Sequence, residues 1–118
     1  MIIYIYSKCS TCRDAVKFLE KHQQKFTVKE ITQETPSILE LQQMLNCQQG
    51  NLKKLFNTSG LLYKEMQLKE KLATLSEQES LSLLHQHGML VKRPFLLGKD
   101  FGLVGFKETE WLQILDRD

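Results

Sequence analysis

The stretch Ile2-Ile3-Tyr4-Ile5-Tyr6-Ser7-Lys8-Cys9-Ser10-Thr11-Cys12 decides how this chain is read. Ile2 to Tyr6 is a short run of β-branched and aromatic residues, the composition of a buried strand. Directly after the cysteines, Arg13 to His22 is amphipathic, and the pattern predicts a helix from Ser10 to Lys21. Its buried stripe is Ala15, Val16, Phe18 and Leu19, with Lys17 and Glu20 outside. A strand that delivers Cys9-Ser10-Thr11-Cys12 to the first turn of a helix sets up thiol–disulfide exchange. The unpaired N–H groups and the positive end of the helix dipole at that point favour a thiolate over a thiol. Cys9 is the expected nucleophile, and Cys12, one turn further in, can reach back to it.

A Cys-x-x-Cys pair is also half of a zinc site, which needs two further ligands at matching spacing. Cys47 stands alone, and His85 and His87 lie in a separate helical segment, so redox chemistry is favoured and no metal ligands are assigned.

Outward from this unit, Phe26 to Ile31 reads as a second strand, giving a right-handed parallel β-α-β unit. Pro36-Ser37 opens a helix carrying Ile38, Leu41, Met44 and Leu45, which Gly50-Asn51 breaks. A short segment from Leu52 to Phe56 follows, then the turn Asn57-Thr58-Ser59-Gly60 and an amphipathic piece from Tyr63 to Leu68. Ser76 and Glu79 read as an N-cap with its capping box before Leu81, Leu83 and Leu84, and Gly88 reads as the C-cap. Phe95-Leu96-Leu97 and Leu103-Val104 flank Gly98 to Gly102, a hairpin turn in composition. Glu108 to Leu115 closes the chain as a helix with Trp111, Leu112 and Leu115 facing inward. The expected fold is α/β, one domain over residues 1–118, with a small mixed sheet and a helical insertion at about 36–88.

A chain of 118 residues can bury roughly two-thirds of its unfolded surface without staples. No apolar stretch approaches the roughly 20 residues of a membrane span, and Met1 leads into a core strand rather than a signal-peptide pattern. The expected location is cytoplasmic, where three cysteines read as reduced thiols. A net charge of +2 gives no case for direct nucleic-acid binding, and Lys53-Lys54 and Lys69 to Lys71 read as solvated helix faces.

Five segments, Cys9-Ser10-Thr11-Cys12-Arg13, Leu55 to Gly60, Tyr63-Lys64-Glu65, Met89 to Pro94 and Val104 to Glu108, fall in an order and spacing that resembles the ArsC/Spx family along the whole chain. The resemblance implies a thioredoxin-like, glutaredoxin-type fold with a mixed four-stranded sheet and a helical insertion. It also implies that Pro94 is a cis-proline facing the redox cysteines, a bond that costs little at an X-Pro position. The chain resembles the YffB/Spx-like branch more than the true arsenate reductases. The arsenate-reducing branch carries a histidine before its cysteine and three arginines that hold the oxyanion. On this chain the histidine position falls at or near Ile5, the first arginine at or near Asn57 and the third near Gly105. Only Arg93 remains, so most charge-assisted contacts to an arsenate are missing. The Spx branch binds RNA polymerase and uses its Cys-x-x-Cys as a redox switch. This chain shares the two cysteines and Gly50 with it, and departs from that branch's arginine at the turn holding Asn57.

The expected activity is that of a cytoplasmic thiol–disulfide oxidoreductase. Cys9 attacks a disulfide or glutathione adduct, Cys12 resolves the mixed disulfide, and the backbone around Ser10 and Thr11 stabilises charge on sulfur. Arg93 steadies a carboxylate or oxyanion, which makes Ser10, Thr11, Arg93 and Pro94 the expected substrate-binding positions. No bound cofactor is expected; glutathione or a thioredoxin/glutaredoxin system is the expected electron donor, and no membrane partner is expected. The alternatives are a Spx-type regulator bound to RNA polymerase and a glutaredoxin-dependent arsenate reductase. Cys47 reads as a small buried hydrophobe, His85 and His87 as facing the negative end of their helix, and Trp111 as core. Lys8 and Arg13 flank the cysteines and are expected to support the thiolate less than the helix terminus does, because exposed cations are screened.

Overall fold

The computed structural model describes residues 1–116, so the last two residues of the expected domain lie outside the described residues. The chain runs β1 (Ile2–Ile5), α1 (Ser10–Lys21), β2 (Thr27–Glu30), α2 (Ile38–Cys47), α3 (Leu61–Glu65), α4 (Leu68–Lys71), α5 (Glu77–Gln86), β3 (Phe95–Leu97), β4 (Gly102–Val104) and α6 (Glu108–Leu115). The sheet order is β2-β1-β3-β4. β1 pairs in parallel with β2 and antiparallel with β3, and β3 pairs antiparallel with β4.

Side chains along a strand alternate between faces. Ile3, Leu96 and Leu103 therefore share one face, where they pack with Ala15, Phe18 and Leu19 of α1 and Trp111 of α6. Tyr4, Phe95 and Leu97 share the other and pack with Leu41, Met44, Leu81 and Leu84 of the helical insertion. Because both faces are covered, β1 is apolar at every position instead of alternating with polar residues.

Capping chemistry fixes the insertion to the sheet. Ser37 and Glu40 form a reciprocal capping box at the start of α2, and Ser76 and Glu79 form the expected one on α5. The Glu40 Oε1 that accepts the Ser37 N–H also accepts the Tyr4 hydroxyl at 2.7 Å, which ties the first turn of α2 to β1. His85 does not face its own helix terminus as expected. Its Nδ1 lies 2.8 Å from the Pro36 carbonyl, and since a carbonyl can only accept, the ring N–H donates. The Thr35 hydroxyl returns a bond to the His85 carbonyl at 2.7 Å, so the end of α5 is clamped to the start of α2.

Other expectations are corrected by packing. β2 is an edge strand, shorter than expected, and Val28 is exposed while Ile31 just beyond it is buried. The piece from Tyr63 to Leu68 divides into α3 and α4, because Gln67 takes a left-handed conformation at φ 55°. Leu112 is exposed rather than inward-facing; Leu115 packs beside the buried Trp111 as expected, and Ile114 joins it there. Gly88 is not a left-handed cap. His87 caps α5, and Gly88 opens a 3₁₀ turn where a Cβ would lie 2.5 Å from the Ile31 carbonyl oxygen.

The atom that an added Cβ would meet is a backbone oxygen, with no flexible end to yield. Gly88→Ala should cost about 1–3 kcal/mol, the usual penalty of overpacking, read as a lower denaturant midpoint at unchanged m-value. An unchanged midpoint would contradict this reading of the contact.

Candidate active site

The site is built where β1 hands the chain to α1. The Tyr6 carbonyl accepts the Cys9 N–H at 2.9 Å, and the Cys9 carbonyl accepts the Arg13 N–H at 3.1 Å, so Cys9 is the N-cap residue of α1. The intervening loop is held from both sides. Arg13 Nη1 donates to the Ser7 carbonyl at 3.0 Å, and the Ser7 N–H donates to Glu30 Oε1 at 2.9 Å. Arg13 thus positions the loop that carries Cys9.

The two sulfurs occupy different surroundings. Cys9 is half-buried and borders an open cleft, whereas Cys12 is fully buried, at i, i+3 and i+7 with Ala15 and Leu19. Burial alone pushes Cys9 up. The Cys12 N–H, the Cys12 thiol, the Thr11 N–H and the Arg93 guanidinium outweigh it, and the net effect holds Cys9 below the ordinary thiol value. Cys9 forms no closed side-chain cap, so the N–H groups act on its sulfur as longer-range dipoles. Cys12 is pushed up to about 11, first by burial; the Tyr6 N–H pulls it down, donation of its thiol to Cys9 and the Cys9 charge push it up again, and Arg93 lowers it least.

Arg93 comes from the segment before β3. Its guanidinium lies over the Tyr6 ring, 5.2 Å from the centroid, and Nη1 donates to the Met89 carbonyl at 3.3 Å. The Arg93-Pro94 bond is cis. Pro94 itself is buried, and its carbonyl accepts the Gly105 N–H at 2.9 Å. The Trp111 indole N–H donates to the Gly105 carbonyl at 3.1 Å, which fixes this wall of the site to α6.

The cleft encloses about 730 Å³ and brings together Cys9, Thr11 and Arg93 with Asn57 and Gly105. Ser10 and Pro94 are absent from its lining among the described residues, so two of the expected substrate-binding positions stand back from it. The backbone donors near Cys9 belong to Thr11 and Cys12 rather than Ser10. Ile5, at the position of the family's histidine, packs toward the Trp111 cluster.

Sequence reasoning missed the cleft's lysines. Lys53, Lys54, Lys92 and Lys107 all border it, on three separate segments. Adjacency to Arg93 and to the motif beginning at Val104 was the available signal for two of them. Cys47 lies away from the cleft, packed half-buried against the insertion cluster, and burial with the Asp100 charge pushes its thiol up. Among the described residues no group of three or more His, Cys, Asp or Glu side chains could hold a metal, and no helix is long and apolar enough to cross a membrane.

Comparison with known proteins places this geometry in a family. The chain matches the ArsC family over residues 4–114. It is 44% identical over 111 residues to the uncharacterised protein YusI of Bacillus subtilis, covering 94% of each chain. It is 30% identical to the global transcriptional regulator Spx 2 of Oceanobacillus iheyensis, covering 99% of this chain and 86% of that one. An ArsC family related protein from Bacteroides fragilis has a crystal structure that superposes with a TM-score of 0.88 at 40% identity, covering 96% of this chain and 95% of its own. The strand, the Cys-x-x-Cys at the helix start, the insertion and the Arg-Pro before β3 are the features of a thioredoxin-like fold, and the chain belongs to the ArsC family.

Proposed function

We propose that this protein is a thiol–disulfide oxidoreductase in which Cys9 attacks and Cys12 resolves. The asymmetry of the two sulfurs carries the reading: one borders the cleft with its pKa lowered, the other is buried with its proton held.

In the first step the Cys9 thiolate attacks one sulfur of a disulfide or glutathione adduct. A Cys9 mixed disulfide forms, and the second substrate sulfur leaves as a thiolate. Cys9 is then neutral and can no longer accept the Cys12 thiol or repel its charge, so two of the influences that raise Cys12 disappear. Burial persists and keeps the thiolate fraction of Cys12 low, which makes its attack the slower of the two exchanges. After losing its proton to the departed thiolate or to water, Cys12 attacks Cys9, expels the substrate as a second thiolate and leaves a Cys9–Cys12 disulfide. The substrate gains two electrons. Glutathione or a thioredoxin/glutaredoxin system is the proposed donor that returns the protein to its dithiol form, in a cytoplasmic setting.

A second reading, a Spx-type regulator that binds RNA polymerase, is favoured by the similarity to Spx 2 along nearly the whole chain. Polymerase capture in the absence of thiol turnover would select it. Arsenate reduction is disfavoured, because Asn57 and Gly105 border the cleft where the family's arginines would supply forked donors.

Cys12→Ser tests the division of labour. The variant should still form the first mixed disulfide with a glutathionylated peptide but accumulate it, visible as a stable mass adduct on Cys9, while in the natural protein the resolving rate rises with pH as Cys12, freed of the Cys9 charge, loses its proton. An adduct on Cys47, or turnover unaffected by the substitution, would refute the assignment. Arsenate offered to the natural protein should turn over near background, since a missing oxyanion donor costs about 10²–10³ in rate; brisk arsenate reduction would overturn the account of the cleft.

A further inference from the structure

We infer that the cleft in front of Cys9 selects a small disulfide partner that carries at least two anionic groups beside its sulfur, with Lys53, Lys54, Lys92 and Lys107 as the selecting residues. The inference rests on the thiol-exchange reading and adds the substrate's charge to it.

The whole chain carries a net charge of only +2, yet the cleft gathers four lysines and Arg93 against the single carboxylate of Glu110. Among the described residues none of the four lysines forms an ion pair with an acidic side chain, whereas Lys29 does so with Glu34 at the β2 edge. Their separate origins make a rim rather than a run. Lys53 and Lys54 project from the 3₁₀ turn Leu52–Leu55, Lys92 precedes the cis bond, and Lys107 is the N-cap residue of α6. The stem of Lys92 passes over Gly105, where a Cβ would sit only 3.3 Å from its Cε, so the absence of a side chain at Gly105 makes room for this lysine on the rim.

Nucleophile and rim divide the electrostatic work. The groups that chiefly set Cys9 are Cys12, Thr11 and Arg93, together with burial. The lysines are therefore available to what enters. A concave site lined by one sign of charge concentrates ligands of the other sign. About 730 Å³ lies within the roughly 300–1,000 Å³ typical of small-molecule clefts, which favours a peptide-sized partner over a flat protein surface. Lysine ammoniums are mobile point charges without the planar fork that grips a compact oxyanion. They suit carboxylate arms spread around a disulfide, and glutathione, with two carboxylates, is one member of that class.

The test is a single-turnover reaction of the reduced protein with three disulfides: the bis-carboxylate disulfide of thionitrobenzoate, neutral dithiodipyridine and dicationic cystamine. Lys53→Glu/Lys54→Glu, at two exposed positions, is compared with the natural protein, and Lys53→Gln/Lys54→Gln serves as the milder variant. The ratio of the anionic-probe rate to the neutral-probe rate should fall by about ten-fold or more on charge reversal, by less on neutralisation, and the cystamine ratio should rise. Raising the salt concentration should lower the anionic ratio of the natural protein, as screening shortens the reach of the rim. A ratio indifferent to all of these changes would overturn the inference while leaving thiol exchange intact. Failure of Cys9 to react with any of the three disulfides would instead remove the thiol-exchange reading on which the inference stands.

Discussion

The junction between β1 and α1 is the constraint on which the rest of the structure depends. β1 is buried on both faces, so its backbone has a fixed position, and the carbonyl of Tyr6, the residue just beyond it, receives the Cys9 N–H. Cys9 is thereby placed at the N-cap of α1 without any freedom of register. The same alternation that sends Ile3 toward α1 and Tyr4 toward the insertion brings Arg93, on the segment entering β3, beside the cysteines. Helix terminus and guanidinium converge on one sulfur because a single central strand organises both.

From that placement the chemistry follows by reciprocity. A thiolate on Cys9 raises the cost of a second negative charge on Cys12, and burial adds to it. The pair holds one proton between two unlike sites. Once Cys9 is covalently occupied, the electrostatic part of that restraint is lifted, which orders the two steps without any moving part. Glu30 and Arg13 contribute indirectly by holding the Ser7 loop, and Trp111 does so by fixing Gly105 opposite.

The strand, the helix start and the two cysteines were legible in sequence because strong local signals agree: an apolar β-branched run, helical periodicity and the Cys-x-x-Cys spacing. The Ser76–Glu79 capping box was legible for the same reason. Less visible were features set by the partner across space. Gly88 reads as a cap in sequence, but its role is to let two backbones meet at Ile31. Val28 fits a strand pattern, yet the pattern carries no information that β2 lies at the sheet edge. His85 shows no sign that Pro36 will supply its acceptor. Lys53 and Lys54 read as solvated charge, and only the return of the chain through Lys92 and Lys107 turns them into one wall of a site. Local periodicity fixes elements, whereas convergence of distant segments depends on the sheet order.

The most direct measurement is a titration of the two cysteines separately, by NMR of the reduced protein labelled at the cysteine β-carbons, with assignment from Cys9→Ser and Cys12→Ser. The account predicts that Cys9 titrates below the ordinary thiol value of about 8.5 while Cys12 remains protonated until the pH nears about 11. In Cys9→Ser, where no neighbouring thiolate remains, Cys12 should titrate lower than in the natural protein. Two cysteines titrating together at the ordinary value, or a Cys12 value unmoved by loss of Cys9, would contradict the central claim.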